Sequence, residues 1–145
     1  MNIGIIYGSL TGHSRKIATA IGEAVKVQPQ NVKHAPEPGR YDLLFVVGGI
    51  YGGACHKGLL KYLESIDKAN VKQVALVTSS CGGTQKQDAI RSLLSEKGIT
   101  VIADEYLSLG NFLFFRLGHP NKKEIQGAID FAKGIITDIK SQKNG

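Results

Sequence analysis

The chain has 145 residues, 42% hydrophobic and 21% charged, which excludes a disordered chain and leaves room for one core but not two. Its net charge is +6, from 18 Lys and Arg against 12 Asp and Glu. The basic residues are spread along the chain instead of gathered on one element, which argues against nucleic acid, and no apolar run approaches the ~20 residues of a membrane span.

Two cysteines are too few for a secreted disulfide framework. The N-terminus enters a strand-like run without a basic segment and cleavage site, so a cytoplasmic location is expected. A single domain over residues 1–145 is the expected organisation.

Short β-branched runs alternate with helical patterns. Ile3 to Tyr7 reads as a strand ending at Gly8-Ser9. From Ser14 to Val27, Ile17, Ile21 and Val25 recur every four positions, which is a helix stripe. A proline-containing break follows, with a weak strand at Asn31 to His34. Leu43 to Val47 is a continuous apolar run, as expected of a strand covered on both faces. Leu59, Leu60, Leu63 and Ile66 mark a helix, Val74 to Val77 a strand, and Ile90, Leu93 and Leu94 a helix closed by Gly98. A fifth strand starts at Thr100 and extends toward Leu109. The last helix is expected from about Lys122 to Lys140, with Ile125, Ile129, Ala132, Ile136 and Ile139 on one face. This alternation predicts an α/β fold with a mostly parallel sheet and helices on both faces.

In such a sheet, ligands bind at the carboxyl ends of the strands. The loop after the first strand is Gly8-Ser-Leu-Thr-Gly-His-Ser14, leading into a helix. Its hydroxyls alternate with glycines, and helix N-terminal amides favour an anion there. Ser and Thr are also ordinary helix caps, so the same pattern serves a capped helix start. The dinucleotide pattern G-x-G-x-x-G is absent, and Gly12-His13-Ser14 is not the Gly-Lys-Ser/Thr of a P-loop. The second loop, Gly48 to His56, places Tyr51 among glycines 48, 49, 52 and 53, which permits close approach to a flat ligand. The third, Thr78 to Thr84, offers amides and hydroxyls but no aromatic residue.

Ser9-Leu-Thr-Gly-His-Ser14 resembles the phosphate loop of flavodoxins, [ST]-x-T-G-x-[ST]. Gly48 to Lys57 is similar to that family's first isoalloxazine loop and Thr78 to Gln85 to its second. Gly118 to Asn121, before the last helix, is similar to its C-terminal region. The resemblance covers essentially the whole chain. It implies a doubly wound five-stranded parallel sheet of order 2-1-3-4-5 and an FMN cofactor. Ser9, Leu10, Thr11, Gly12, His13 and Ser14 would hold the phosphate. Gly49, Ile50, Tyr51, Gly52 and Gly53 would flank the ring, with Tyr51 stacking. Ser79, Ser80, Cys81, Gly82 and Gly83 would face its pyrimidine edge.

The implied function is electron transfer with a redox partner protein, a reductase or an acceptor enzyme; the basic charge points to an acidic docking surface on it. The alternative is an oxidoreductase acting directly on a quinone or tetrapyrrole. The chain departs from many flavodoxins in being basic and in lacking an aromatic residue in the second loop. Cys55 and Cys81 fall one in each ring loop, where packing near a ligand is the commoner role. The histidines at 13, 34, 56 and 119 show no metal-ligand spacing. Phe112 to Phe115 is either an exposed docking surface near the flavin edge or, as is commoner, buried under the last helix.

Overall fold

The computed structural model describes residues 1–8, 13–34, 39–51, 54–55, 57–80, 88–109 and 122–144. The chain runs β1 (Ile3–Gly8), α1 (His13–Val25), β2 (Gln30–Asn31), a 3-10 turn (Val32–His34), β3 (Tyr41–Tyr51), β4 (Ala54–Cys55), α2 (Lys57–Ser65), β5 (Val71–Ser80), α3 (Asp88–Glu96), β6 (Thr100–Leu109) and α4 (Lys122–Asn144). Five parallel strands lie in the order β2-β1-β3-β5-β6, and the short β4 pairs antiparallel with β3. With β4 set aside this is the expected 2-1-3-4-5 order.

Period-2 alternation on the central strands builds two cores. Leu44 and Val46 of β3 and Val74 and Leu76 of β5 point to one face, where Leu59, Tyr62 and Leu63 of α2 and Ile90 and Leu94 of α3 cover them. Leu43, Phe45 and Val47, with Ala75 and Val77, point to the other face, against Ile17, Ala18 and Ile21 of α1 and Ala128, Ala132, Ile135 and Ile139 of α4. Leu43 to Val47 are all fully buried, as their unbroken apolar run requires.

Helix ends follow from local chemistry. At the end of α3 the Ile99 amide donates to the Leu94 carbonyl (3.0 Å) and the Gly98 amide to that of Ser95 (3.0 Å), with Gly98 at φ 78°. That is a Schellman closure, with glycine where a left-handed residue is needed. At the end of α1 the Val27 amide donates to the Gly22 carbonyl (2.9 Å), and here Lys26 takes the left-handed position at φ 61°.

Four expectations need correction. The strand expected at Asn31 to His34 is a strand only at Gln30–Asn31, because the chain then turns into a 3-10 helix that buries Val32. Strands β3 and β5 run four and three residues past their apolar segments, to Tyr51 and Ser80. The ladder joining Gly48 to Thr78, Gly49 to Ser79 and Ile50 to Ser80 supplies the order that composition there does not suggest. Helix α2 stops at Ser65, so buried Ile66 lies just beyond it. The buried face of α4 is Ala128, Ala132, Ile135 and Ile139, with Ile125, Ile129 and Ile136 only partly covered. The two alanines lie in the cluster that holds Ile17, Ala18 and Ile21 of α1.

Candidate functional site

The carboxyl ends of the strands converge with the amino ends of the helices. Strand β1 ends at Gly8, which pairs with Gly48 of β3, so two adjacent positions at the rim carry no side chain. Such a gap lets a ligand approach the backbone closely. Beyond that row β3 and β5 continue together, with Gly49 beside Ser79 and Ile50 beside Ser80, and β6 extends alongside to Leu109. Five of the expected cofactor residues, Gly49, Ile50, Tyr51, Ser79 and Ser80, thus share one raised shelf of strand.

The shelf has a feature that the sequence reading missed. Ile50 pairs with Cys55 and Tyr51 with Ala54, which leaves Gly52-Gly53 as the two residues linking β3 to β4. A Gly-Gly pair between two strand segments is a recognisable hairpin signal. Since β5 already holds one side of Ile50, β4 takes the other, in line with the end of β1. The backbone groups of Ile50 and Tyr51 are therefore held by cross-strand pairing.

Ser14 lies in the first turn of α1, is completely buried, and its Oγ makes no hydrogen bond among the described residues. A buried hydroxyl without a partner is costly, and in a native protein it calls for a partner or a reason. It sits where the first helical amides lack intrahelical acceptors and the helix dipole is positive. A donor hydroxyl, free amides and a positive dipole end together suit an anionic oxygen cluster. The residues present therefore fit a phosphate-bearing cofactor.

His13 opens α1 beside Ser14. Ser9, Leu10, Thr11, Gly12, Gly52, Gly53, Cys81, Gly82 and Gly83 lie outside the described residues, as do His56, Phe112 to Phe115 and His119. Away from the shelf, a groove of about 470 Å³ follows α1 on the β2 side, lined in part by Tyr7, Arg15, Thr19 and Lys26. Among the described residues no three His, Cys, Asp or Glu side chains come together as metal ligands, and no helix is long and apolar enough to cross a membrane.

A family model for the flavodoxin domain matches residues 4–133. An uncharacterized protein of Methanocaldococcus jannaschii is 31% identical over 146 residues, covering 91% of this chain and 96% of that protein. Among solved structures, a flavodoxin from the domain Archaea superposes with a TM-score of 0.76 at 18% identity, covering 97% of this chain and 99% of the other. An NAD(P)H:quinone oxidoreductase from Methanothermobacter marburgensis gives 0.64 at 12% identity, over 92% and 94%. A flavodoxin and a quinone oxidoreductase thus share this fold, and the fold alone does not fix the function. The match over residues 4–133, with the strand order and the hydroxyl-bearing start of α1, places the chain in the flavodoxin family, among the flavin-type redox proteins.

Proposed function

We propose that this protein binds FMN at the carboxyl ends of β1, β3 and β5 and serves as an electron carrier for a partner redox protein. When bound, FMN supplies the redox chemistry; the protein binds, orients and shields it. The observation that carries the reading is the buried, unpartnered Oγ of Ser14 at the start of α1. That hydroxyl donates to a phosphate oxygen, and the first amides of α1 complete the cradle. By the sequence pattern of their loop, Ser9 and Thr11 would supply further hydroxyls to the phosphate. The paired shelf of Gly49 to Tyr51 and Ser79 to Ser80 lies at the carboxyl end of the sheet, where it would flank the ring.

Ser14→Ala tests this with a change of sign. In the ligand-free protein it removes an unsatisfied hydroxyl, so stability is expected to hold or rise. A hydrogen bond to a charged group is worth about 1.5–3 kcal/mol, so FMN affinity is expected to fall about 10- to 150-fold. Fluorescence titration gives the affinity and urea unfolding the stability. Riboflavin, which lacks the phosphate, should bind wild type weakly and be indifferent to the substitution. Equal loss of riboflavin and FMN binding would reject the phosphate assignment. Rapid turnover of a quinone by the reduced protein alone would move the reading from carrier to enzyme.

A further inference from the structure

The charges on α1 and α2 run against their helix dipoles at both ends. Helix N-termini favour acidic residues and C-termini basic ones. Yet α1 and α2 have no acidic residue in their first turns, and α1, α2 and α3 have no basic residue in their last turns. Arg15 and Lys16 sit in the first turn of α1, Lys57 and Lys61 in the first two turns of α2, and α4 opens on Lys122-Lys123. Arg15, Lys16, Lys57 and Lys61 are exposed. At the other ends, Glu23, Glu64 and Glu96 occupy the last turns of α1, α2 and α3.

In a parallel α/β layout all these N-termini lie at the carboxyl end of the sheet. The cations therefore ring one end of the molecule, where only Asp88 of α3 and Glu124 of α4 oppose them on the helix starts. At the opposite end Glu23, Glu64, Glu96 and Asp138 lie among Lys26, Lys68, Lys97, Lys140 and Lys143, and the charges there nearly cancel. The positive ends of the helix dipoles add to the ring's field instead of being neutralised by it. The excess charge of +6 is thus gathered mostly at the end that carries the candidate site.

We infer that this cationic ring is a docking surface for an acidic protein, which it steers onto the cofactor end of the molecule. The inference rests on the electron-carrier reading above and names the chemistry of its partner. Helices α1 and α4 cover one face of the sheet and α2 and α3 the other. The ring therefore straddles two packing layers, roughly 20 Å across. That span exceeds a small anion and suits one side of a standard protein interface, about 800 Å² per partner. Charges at such a rim act mainly on the rate of encounter and its salt dependence.

The test is an amide NMR titration with a ten-residue poly-L-glutamate peptide at low salt, run with and without FMN. Shifts are expected at the first turns of α1, α2 and α4, and are expected to vanish at 0.5 M salt. Lys16→Glu/Lys57→Glu is expected to weaken binding at least 10-fold. Lys68→Glu/Lys140→Glu changes the net charge equally, at exposed positions at the far end, and is expected to weaken it less than 3-fold. Equal loss in both variants would show that net charge, not its placement, matters. Shifts spread over the surface, or inorganic phosphate competing at equal concentration, would also overturn the inference. The ligand-free arm does not depend on FMN, so failure of docking and failure of cofactor binding are read separately.

Discussion

Tyr62 is buried in the core cluster that holds Ile6, Leu44 and Leu63, while its hydroxyl, like that of Ser14, makes no hydrogen bond among the described residues. The two orphans have different causes. Ser14 sits in the first turn of α1, at the carboxyl end of the sheet, whereas Tyr62 sits in the last turn of α2, beside Tyr41 at the amino end of β3. Burial, with the nearby Tyr41 phenol as a smaller cause, pushes the Tyr62 hydroxyl up from 10.0 to about 12. The sign follows directly. The unfolded chain ionises first, so folding stability is intact below pH 10 and is lost as pH rises toward 12. Tyr62→Phe removes both the orphan hydroxyl and this titration. It is expected to gain on the order of 1 kcal/mol at neutral pH and to flatten the loss between pH 10 and 12. Urea unfolding at pH 7, 9 and 11 checks it; a destabilised variant would mean that the hydroxyl has a partner.

Element ends show where local chemistry and tertiary context divide the work. Lys97, just past α3, donates from Nζ to the carbonyls of Glu64 (2.8 Å) and Ile66 (2.9 Å), closing the end of α2 from a neighbouring helix. No local signal in α2 announces that cap. On β6, the register slips between its pairings with Val74 and Leu76, so Ile102 to Asp104 stand opposite Ala75 alone. Arg91 of α3 reaches the Ile102 carbonyl there at 3.3 Å, supplying a donor where the ladder is interrupted. The end of α1 is local, and it is strained. Lys26 adopts the left-handed conformation that glycine fills after α3. A non-glycine residue there costs roughly 1 kcal/mol, so Lys26→Gly is expected to stabilise the fold by about 0.5–1 kcal/mol in urea unfolding. A loss of stability would mean that the lysine side chain contributes more than its backbone costs.

Those same ends explain what was legible in the sequence. Five parallel strands and their order followed from alternation and the resemblance, because buried strands such as Leu43 to Val47 carry their own signal. The β3–β4 hairpin did not, since Gly48-Gly49 has low strand propensity and is ordered by pairing with Thr78 and Ser79. Ser14 was legible as a hydroxyl in a patterned loop, but its burial without a partner required the packing of α1. The basic charge was legible as a number. Its placement at one end emerged only when the helices were laid antiparallel to the strands.

At the scale of the molecule, two cores close on one sheet, and α4 closes one of them last in the chain. Ile135 and Ile139, 7% and 8% exposed, pack in the cluster that holds Ile5, Ile21, Phe45 and Val77. Ile139 is the last described residue in that cluster, and Ser141 is exposed. Full burial of an isoleucine is worth about 1.5–3 kcal/mol, so the two together contribute about 3–6 kcal/mol. A domain of this size has a total stability of about 5–15 kcal/mol, so losing both removes a large part of it. A chain ending at Lys140 is therefore expected to melt as the full chain does, within a degree or two. A chain ending at Ala132 should be partly or wholly unfolded at 37 °C by far-ultraviolet circular dichroism. The double variant Ile135→Ala/Ile139→Ala keeps the helix length and should lose a comparable amount, because each truncation leaves a cavity over β1 and β3. If the double variant is stable while the Ala132 truncation unfolds, the length of α4, and not its buried face, holds that side of the sheet closed.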